Sequence, residues 1–83
     1  MSVKKRVMYD CGDYVRFALS EVDVKEGCID IIDRYRTYDR TGEPSYDIYN
    51  AKENMLYKHI PQHLVVRKIR NALPEERLYN KYK

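Results

Sequence analysis

The run of residues with the strongest structural signal is Tyr57-Lys58-His59-Ile60-Pro61-Gln62-His63-Leu64-Val65-Val66-Arg67-Lys68-Ile69. Pro61 has a fixed φ and no N–H to donate to a β-ladder, so it belongs at the end of a strand. The apolar run from Leu64 to Val66, followed by Ile69, is typical of a mostly buried strand. The run therefore predicts a strand end, a tight turn at Pro61 and a closing strand.

Four more strands are predicted upstream, at residues 14–19, 28–35, 46–49 and 55–60, and the closing strand covers 64–69. In the first strand, Val15, Phe17 and Leu19 alternate with more polar residues, which is the pattern of a half-buried strand. The pair Ile31-Ile32 breaks this alternation and predicts a bulge nearby. Five short strands separated by turns favour an all-β barrel. Its inward positions predict one core cluster, made of Val15, Phe17, Ile29, Ile48, Leu56, Ile60, Val65 and Ile69.

The two ends of the chain differ from this barrel, which is assigned to residues 11–70. Residues 1–10 start with the basic run Lys4-Lys5-Arg6 and predict a basic arm or a first short strand. Residues 71–83 predict a short helical tail. Pro74 suits a first helical position, the acidic Glu75 and Glu76 follow it, and lysines end the chain, as helix dipoles favour.

Length and composition limit the classes of protein. The 83 residues form one small domain, with a net charge of +3 and 35% charged residues of both signs. No segment has the apolar length needed to cross a membrane, and no secretory leader is visible. Cys11 and Cys28 lie far apart without a paired motif, which favours free thiols in a cytoplasmic protein.

No recognisable catalytic or metal-binding motif is present in the sequence. His59 and His63 are four residues apart, but Pro61 between them argues against a helix, and tetrahedral zinc sites use paired ligand spacings. The sequence has no glycine-rich phosphate loop and no nucleophile elbow. We therefore expect a non-enzymatic protein without a metal or a cofactor.

Tyrosines interleaved with basic residues are the most distinctive feature of the composition. The chain has nine tyrosines, one phenylalanine and no tryptophan. Tyrosines beside arginines can stack on bases and neutralise phosphates. The predicted binding residues are Arg34, Tyr35, Arg36, Tyr38, Arg40, Tyr46, Tyr49 and Lys58. The alternative is that many of these rings fill the core or pack across strands, where tyrosine is also favoured.

Three short motifs add a resemblance to a family. Gly12-Asp13-x-Val15-x-Phe17, Gly27-x-Ile29 and Ile60-Pro61-Gln62-His63-Leu64-Val65 resemble SH3-like barrels, including KOW-type and Tudor-like modules. The resemblance implies a five-stranded barrel with a single 3₁₀ turn between its last two strands. The chain also looks like small barrel proteins from mobile elements of Gram-positive bacteria. The proline-peptide groove of true SH3 domains is not carried over, because this chain has no tryptophan and has Leu64 in place of a groove tyrosine.

Two kinds of partner fit these observations. The basic segments and the arginine–tyrosine interleaving favour nucleic acid. The low net charge and the excess of tyrosine favour a protein partner, and the chain would then be an adaptor or an inhibitor, such as a phage- or plasmid-encoded inhibitor of a host defence protein. The expected function is a binding module, with nucleic acid as the first ligand class and protein as the alternative.

Overall fold

Five antiparallel strands form one sheet in the computed structural model, which describes residues 6–33 and 42–78. The predicted all-β class is confirmed. The strands lie in the order β4-β3-β2-β1-β5. A 3₁₀ turn at Gln62–Leu64 joins the last two strands, as the resemblance implies, and a second one follows the sheet at Pro74–Glu76. The strands are β1 Asp13–Ala18, β2 Val24–Asp33, β3 Ser45–Asn50, β4 Met55–Pro61 and β5 Val65–Asn71.

The second strand starts earlier than its polar sequence indicates. β2 begins at Val24, before the predicted start at residue 28, because residues 24–27 pair with β1. The side chains of Arg16 and Glu26 form a 2.8 Å salt bridge across that pair, which gives polar residues a cross-strand partner. Further along, the register with β3 shifts between Ile29 and Ile31. This shift confirms the predicted bulge.

One face of the sheet carries the hydrophobic core. Six of the eight predicted members lie in it, together with the fully buried Tyr46. The prediction was wrong for Leu56 and Ile69, which are half-buried and are not members of the buried cluster. Leu56 pairs with Tyr49, so both side chains lie on the face of the sheet away from the core. Ile69 is the extra, unpaired residue at a register shift between β1 and β5. The cluster contains Val15, Phe17, Ile29, Tyr46, Ile48, Ile60 and Val65.

The predicted barrel closure is wrong, because the two edge strands, β4 and β5, are not hydrogen-bonded to each other. Ile60 of β4 and Val65 of β5 still reach the same core cluster, so the sheet curls strongly around it. Both edges are irregular. His59 in β4 has a left-handed φ of 58°, and its N–H donates to a carboxylate oxygen of Asp47. β5 carries two register shifts against β1. Such irregular edges oppose continuous strand pairing.

The 3₁₀ turn after Pro61 anchors the start of the chain. Gln62 is buried; its Nε2 donates to the Arg6 carbonyl at 2.8 Å, and its Oε1 accepts the Met8 N–H at 3.0 Å. The Oε1 also accepts a hydrogen bond from the Tyr46 hydroxyl. Residues 6–10 are therefore hydrogen-bonded to the sheet in an irregular conformation and do not form the first short strand, while Arg6, Met8 and Asp10 stay exposed. Lys4 and Lys5 lie outside the described residues.

The helix predicted for the C-terminal segment is not confirmed. In the described part of this segment, to residue 78, a 3₁₀ turn forms at Pro74–Glu76 and Arg77 returns to an extended backbone; residues 79–83 lie outside the described residues. The Glu76 carboxylate receives both guanidinium nitrogens of Arg70, at 2.7 and 2.8 Å, and the Leu73 N–H. These contacts satisfy polar groups of the turn within the segment itself, so a single 3₁₀ turn can be stable there.

The docking of this segment is expected to weaken in acid. The Arg70 guanidinium is the main cause that lowers the pKa of Glu76, against an opposing effect of burial. Because the pKa of Glu76 is lower in the folded state than in the unfolded state, ionised Glu76 stabilises the folded protein. This stabilisation is complete above the unfolded-state pKa of about 4.3, and it is lost as the pH falls through the folded-state pKa. Amide hydrogen exchange should therefore show residues 72–77 opening below pH ~4 before the sheet does. Equal protection of these amides at pH ~3 and pH ~6 would contradict this prediction.

Candidate functional site

A second buried patch lies on the outer face of the sheet, opposite the core. Tyr14 pairs with Cys28 across β1 and β2, and Cys28 pairs with Tyr49 across β2 and β3, so these three residues share that face. Their exposed fractions are 9%, 2% and 2%. Burial raises the pKa of the Cys28 thiol, which keeps it protonated. The charges of Glu76 and Arg77 act on Cys28, so the C-terminal segment passes close to this patch.

Beside this patch an open groove runs along the outer face of β1 and β2. It has a volume of about 620 Å³, and it continues beside the C-terminal segment as a narrower recess of about 340 Å³. Tyr14 and Lys52 line both parts. The groove is also lined by Arg16, Val24, Lys25, Glu26, Asn50 and Glu53, and the recess by Ala51, Glu75 and Glu76.

Polar networks fix the walls of the groove. Asn50, at the end of β3, donates to the Glu26 carbonyl at 3.0 Å, and its side-chain oxygen accepts the Glu53 N–H at 2.9 Å. The Glu53 carboxylate in turn receives the Lys25 ammonium at 3.2 Å and the Tyr57 hydroxyl at 2.7 Å. These two donors lower the pKa of Glu53, Tyr57 first. The turn between β3 and β4 is thereby tied to β2, so the groove is largely pre-formed.

Tyr14 differs from the other polar groups of the groove. Its hydroxyl has no hydrogen-bond partner among the described residues, although the side chain is more than nine-tenths buried. The Arg70 guanidinium lies 4.2 Å from the centre of its ring and holds the ring in place. Burial, followed by the charges of Glu76 and Glu26, raises the pKa of Tyr14, so its O–H remains a donor. Buried tyrosine hydroxyls usually find a partner, and this one is left available beside the groove.

Two charges in the recess are also uncompensated. Neither Lys52 nor Glu75 makes an ion pair within 4 Å inside residues 6–33 and 42–78. Other charges near the groove are already paired, since Arg16 binds Glu26 and Arg70 binds Glu76. A ligand in the recess would therefore meet one free ammonium, one free carboxylate and one free phenolic O–H.

Most of the binding residues predicted from sequence do not fall on this groove. Tyr46 and Tyr49 are buried, and this corrects their assignment to an exposed surface. Tyr46 fills the core because β3 is covered on its inner side, and the Tyr49 hydroxyl donates to Asn54 on the outer side. Lys58 is exposed on β4 and does not line the groove. The remaining predicted residues, Arg34, Tyr35, Arg36, Tyr38 and Arg40, lie outside the described residues.

The groove residues were missed because their sequence signal is weak. Arg16 and Glu26 have opposite charges at positions that a β1–β2 hairpin places side by side, and this complementarity was a usable signal. Tyr14 and Lys52 give no such signal, because the sequence does not show that a tyrosine hydroxyl lacks a partner or that the C-terminal segment lies nearby.

The histidines and thiols occupy separate places. The Nδ1–H of His63 donates to the Glu43 carboxylate at 2.8 Å, and the backbone N–H of His63 donates to the same carboxylate at 2.6 Å. This contact closes the 3₁₀ turn after Pro61. Cys11 is exposed, Cys28 is buried, and both are free thiols. Within the described part of the chain, no group of three or more histidine, cysteine or acidic residues could hold a metal ion.

Two tyrosine-to-phenylalanine variants form a matched test of these assignments. Tyr46→Phe should lower the free energy of unfolding by about 1–2 kcal/mol, because it removes a hydrogen bond to the buried Gln62. Tyr14→Phe should leave stability unchanged or raise it, because the hydroxyl that it removes has no partner. Urea titrations followed by circular dichroism measure both values. An equal loss in the two variants would show that the Tyr14 hydroxyl is bonded in the folded state.

Fold and site together define a small all-β protein with one curled antiparallel sheet and a polar groove on its outer face. Comparison with family models, with curated proteins and with solved structures finds no match to this chain. In the described ranges, no helix is both long and apolar enough to span a membrane.

Proposed function

We propose that this chain is a non-enzymatic binding module whose groove holds an extended segment of a protein partner. The observation that carries the proposal is the buried Tyr14 hydroxyl, which lies beside the groove without a hydrogen-bond partner in residues 6–33 and 42–78. A peptide backbone supplies carbonyl acceptors at regular spacing, so an extended segment can satisfy this donor. The groove volume, about 620 Å³, lies within the range of known ligand clefts.

The charge of the groove favours a protein over a nucleic acid. Four carboxylates surround the groove and its recess, on Glu26, Glu53, Glu75 and Glu76. Three cations, Arg16, Lys25 and Lys52, line the same surface, and the first two are already paired with carboxylates of the chain. A phosphate chain would meet one unpaired cation, Lys52, among the described residues that line this surface, whereas a peptide can present charges of both signs.

The fold type and the biological setting belong to the same proposal. The 3₁₀ turn at Gln62–Leu64 between the last two strands supports an SH3-like sheet, here with open edges. A cytoplasmic adaptor or inhibitor, encoded by a phage or plasmid and directed at a host defence protein, is the form of protein binding that fits the resemblance. Both the location and the origin remain predictions.

A charge reversal in the groove tests the proposal. Lys52→Glu should weaken the binding of a fluorescent pool of random hexapeptides at least tenfold, because Lys52 is the unpaired cation of both groove and recess. Lys58→Glu makes the same change of charge on exposed β4, outside the groove, and should bind as the parent does. Fluorescence anisotropy measures the affinities, and thermal melting checks that both variants are folded. Equal weakening by the two variants would mean that net charge alone drives binding.

Nucleic acid remains a second candidate because two basic segments attach at one end of the sheet. The Arg6 carbonyl accepts a hydrogen bond from Gln62, which follows Pro61 at the end of β4. Asp33 at the end of β2 lies opposite Ser45, and Ser45 lies opposite Pro61, so Arg6 and Asp33 are at the same end of the sheet. The segments that adjoin Arg6 and Asp33 contain Lys4, Lys5 and three arginines.

Substitutions in the second basic segment test this candidate. If it holds, replacing Arg36 and Tyr38 by alanine should abolish the binding of random single-stranded oligonucleotides while the melting temperature stays unchanged. Such binding should also weaken steeply with salt. Unchanged oligonucleotide binding by a folded double variant would reject these residues as the site.

A further inference from the structure

The recess at the end of the groove combines the groups that recognise a single carboxylate. It has a volume of about 340 Å³ and is lined by Tyr14, Lys52 and Glu75, with Ala51 and Glu76 completing it. Tyr14 offers a buried O–H without a partner, and Lys52 offers an ammonium without an ion pair in the part of the chain that the structure describes. A neutral donor and a cation that line the same recess suit an anion with two oxygens.

We propose that this recess binds the free carboxy terminus of a peptide, an inference that rests on the proposed function of the groove. One terminal oxygen accepts the Tyr14 O–H, and the other lies against the Lys52 ammonium. The rest of the peptide extends into the wider groove, because Tyr14 and Lys52 line both cavities and so mark their junction.

The neighbouring carboxylates support this assignment. Both oxygens of Glu76 are bonded to Arg70, and one also accepts the Leu73 N–H, so its charge is compensated within the chain. Lys52 therefore remains available for a ligand, although its charge also lowers the pKa of Glu76. Glu75 makes no hydrogen bond to the described residues and can accept the last peptide N–H of a bound segment.

The charge balance selects a carboxylate over a phosphate. The recess already holds the carboxylate of Glu75 beside the ammonium of Lys52, so a ligand with a single negative charge is opposed less than a phosphate monoester, which carries close to two charges at neutral pH. Among the described residues that line the recess, Lys52 is the one cation that could face such a second charge. The recess is thus suited to the end of a peptide chain, which also supplies an N–H for Glu75.

The test compares two peptide pools on the full chain. Random hexapeptides with free carboxy termini and the same pool with amidated termini are titrated separately into the ¹⁵N-labelled protein. The free-acid pool should shift the amide signals of Tyr14 and Lys52, and amidation should weaken this binding at least tenfold. Tyr14→Phe and Lys52→Gln should each remove the preference for the free acid, whereas the matched control Lys58→Gln should keep it.

Each alternative outcome has a separate meaning. Equal binding of the two pools in the groove would overturn the carboxy-terminal assignment and leave the proposed function in place. No shift of groove signals by either pool would overturn the proposed function and the inference with it. Inorganic phosphate that shifts the Tyr14 and Lys52 signals at the same concentration as the free-acid pool would replace the carboxylate by a general anion and overturn the inference.

Discussion

Replacement of Phe17 by alanine is expected to lower the free energy of unfolding by about 3–5 kcal/mol, the usual cost of removing a buried aromatic ring. Phe17 is fully buried in the core cluster, and its ring packs edge-on against Tyr57, with 5.4 Å between centroids. The loss is a large share of the stability of a small domain, so the variant should be partly unfolded near body temperature.

Leu19 provides the matched control for this variant. It follows β1 directly, but 36% of its surface is exposed. Leu19→Ala should therefore cost far less, below about 1 kcal/mol, because little buried volume is lost. Urea unfolding of the parent and the two variants gives the comparison. A midpoint for Phe17→Ala equal to that of the parent would show that this ring is not part of the core.

The second large effect is expected at Gly27. A Cβ on this residue would lie 2.6 Å from the Tyr49 carbonyl oxygen and 2.8 Å from a methyl group of Ile48. The oxygen belongs to the neighbouring strand and cannot move away without disturbing the sheet. Gly27→Ala should therefore destabilise the protein by about 1–3 kcal/mol through overpacking.

Val24 of the same strand separates this steric effect from a general effect of substitution in β2. It is half-exposed, so Val24→Ala should change the free energy of unfolding by about 0.5 kcal/mol or less. Thermal or urea unfolding measures both variants. A Gly27→Ala variant as stable as Val24→Ala would mean that the strands separate easily at this point and that the close approach is unimportant.

The strands were predictable because their signals are local. Alternation located β1, and Pro61 and the pair Ile31-Ile32 indicated the turn and the bulge. These features depend on backbone sterics and on which residues alternate, and both can be read from neighbouring positions.

The parts that depend on tertiary contacts were not predictable. Tyr46 and Tyr49 follow each other closely in β3 and are both buried, because the sheet is covered on both faces at that point. The C-terminal segment passes close to Cys28 on the outer face, and the Arg70–Glu76 contact holds a 3₁₀ turn within the stretch for which the sequence predicts a helix. Since helix-forming preferences are weak, a local ion pair and docking can override them.

The groove also shows why its key donor could not be found from sequence. A tyrosine in a strand is ordinarily explained by packing, and only the hydrogen-bond inventory of the folded chain distinguishes Tyr14 from Tyr46. The hydroxyl of Tyr46 is used to hold Gln62, while that of Tyr14 is unused within the described residues. The proposed binding site is therefore defined by a hydroxyl that no other described residue satisfies, which is a property of the fold.

Two successive titrations of one ¹⁵N-labelled sample of the full chain, followed by NMR, test the central claim that the outer groove is the binding surface. The random hexapeptide pool and a pool of random single-stranded oligonucleotides are added in turn at low salt. The peptides should shift the amide signals of residues 14–16, 24–26 and 50–53, and the oligonucleotides should leave those signals in place. If the peptides shift no groove signal while the oligonucleotides shift the signals of Arg6 and Gln62 with a steep dependence on salt, the account is contradicted.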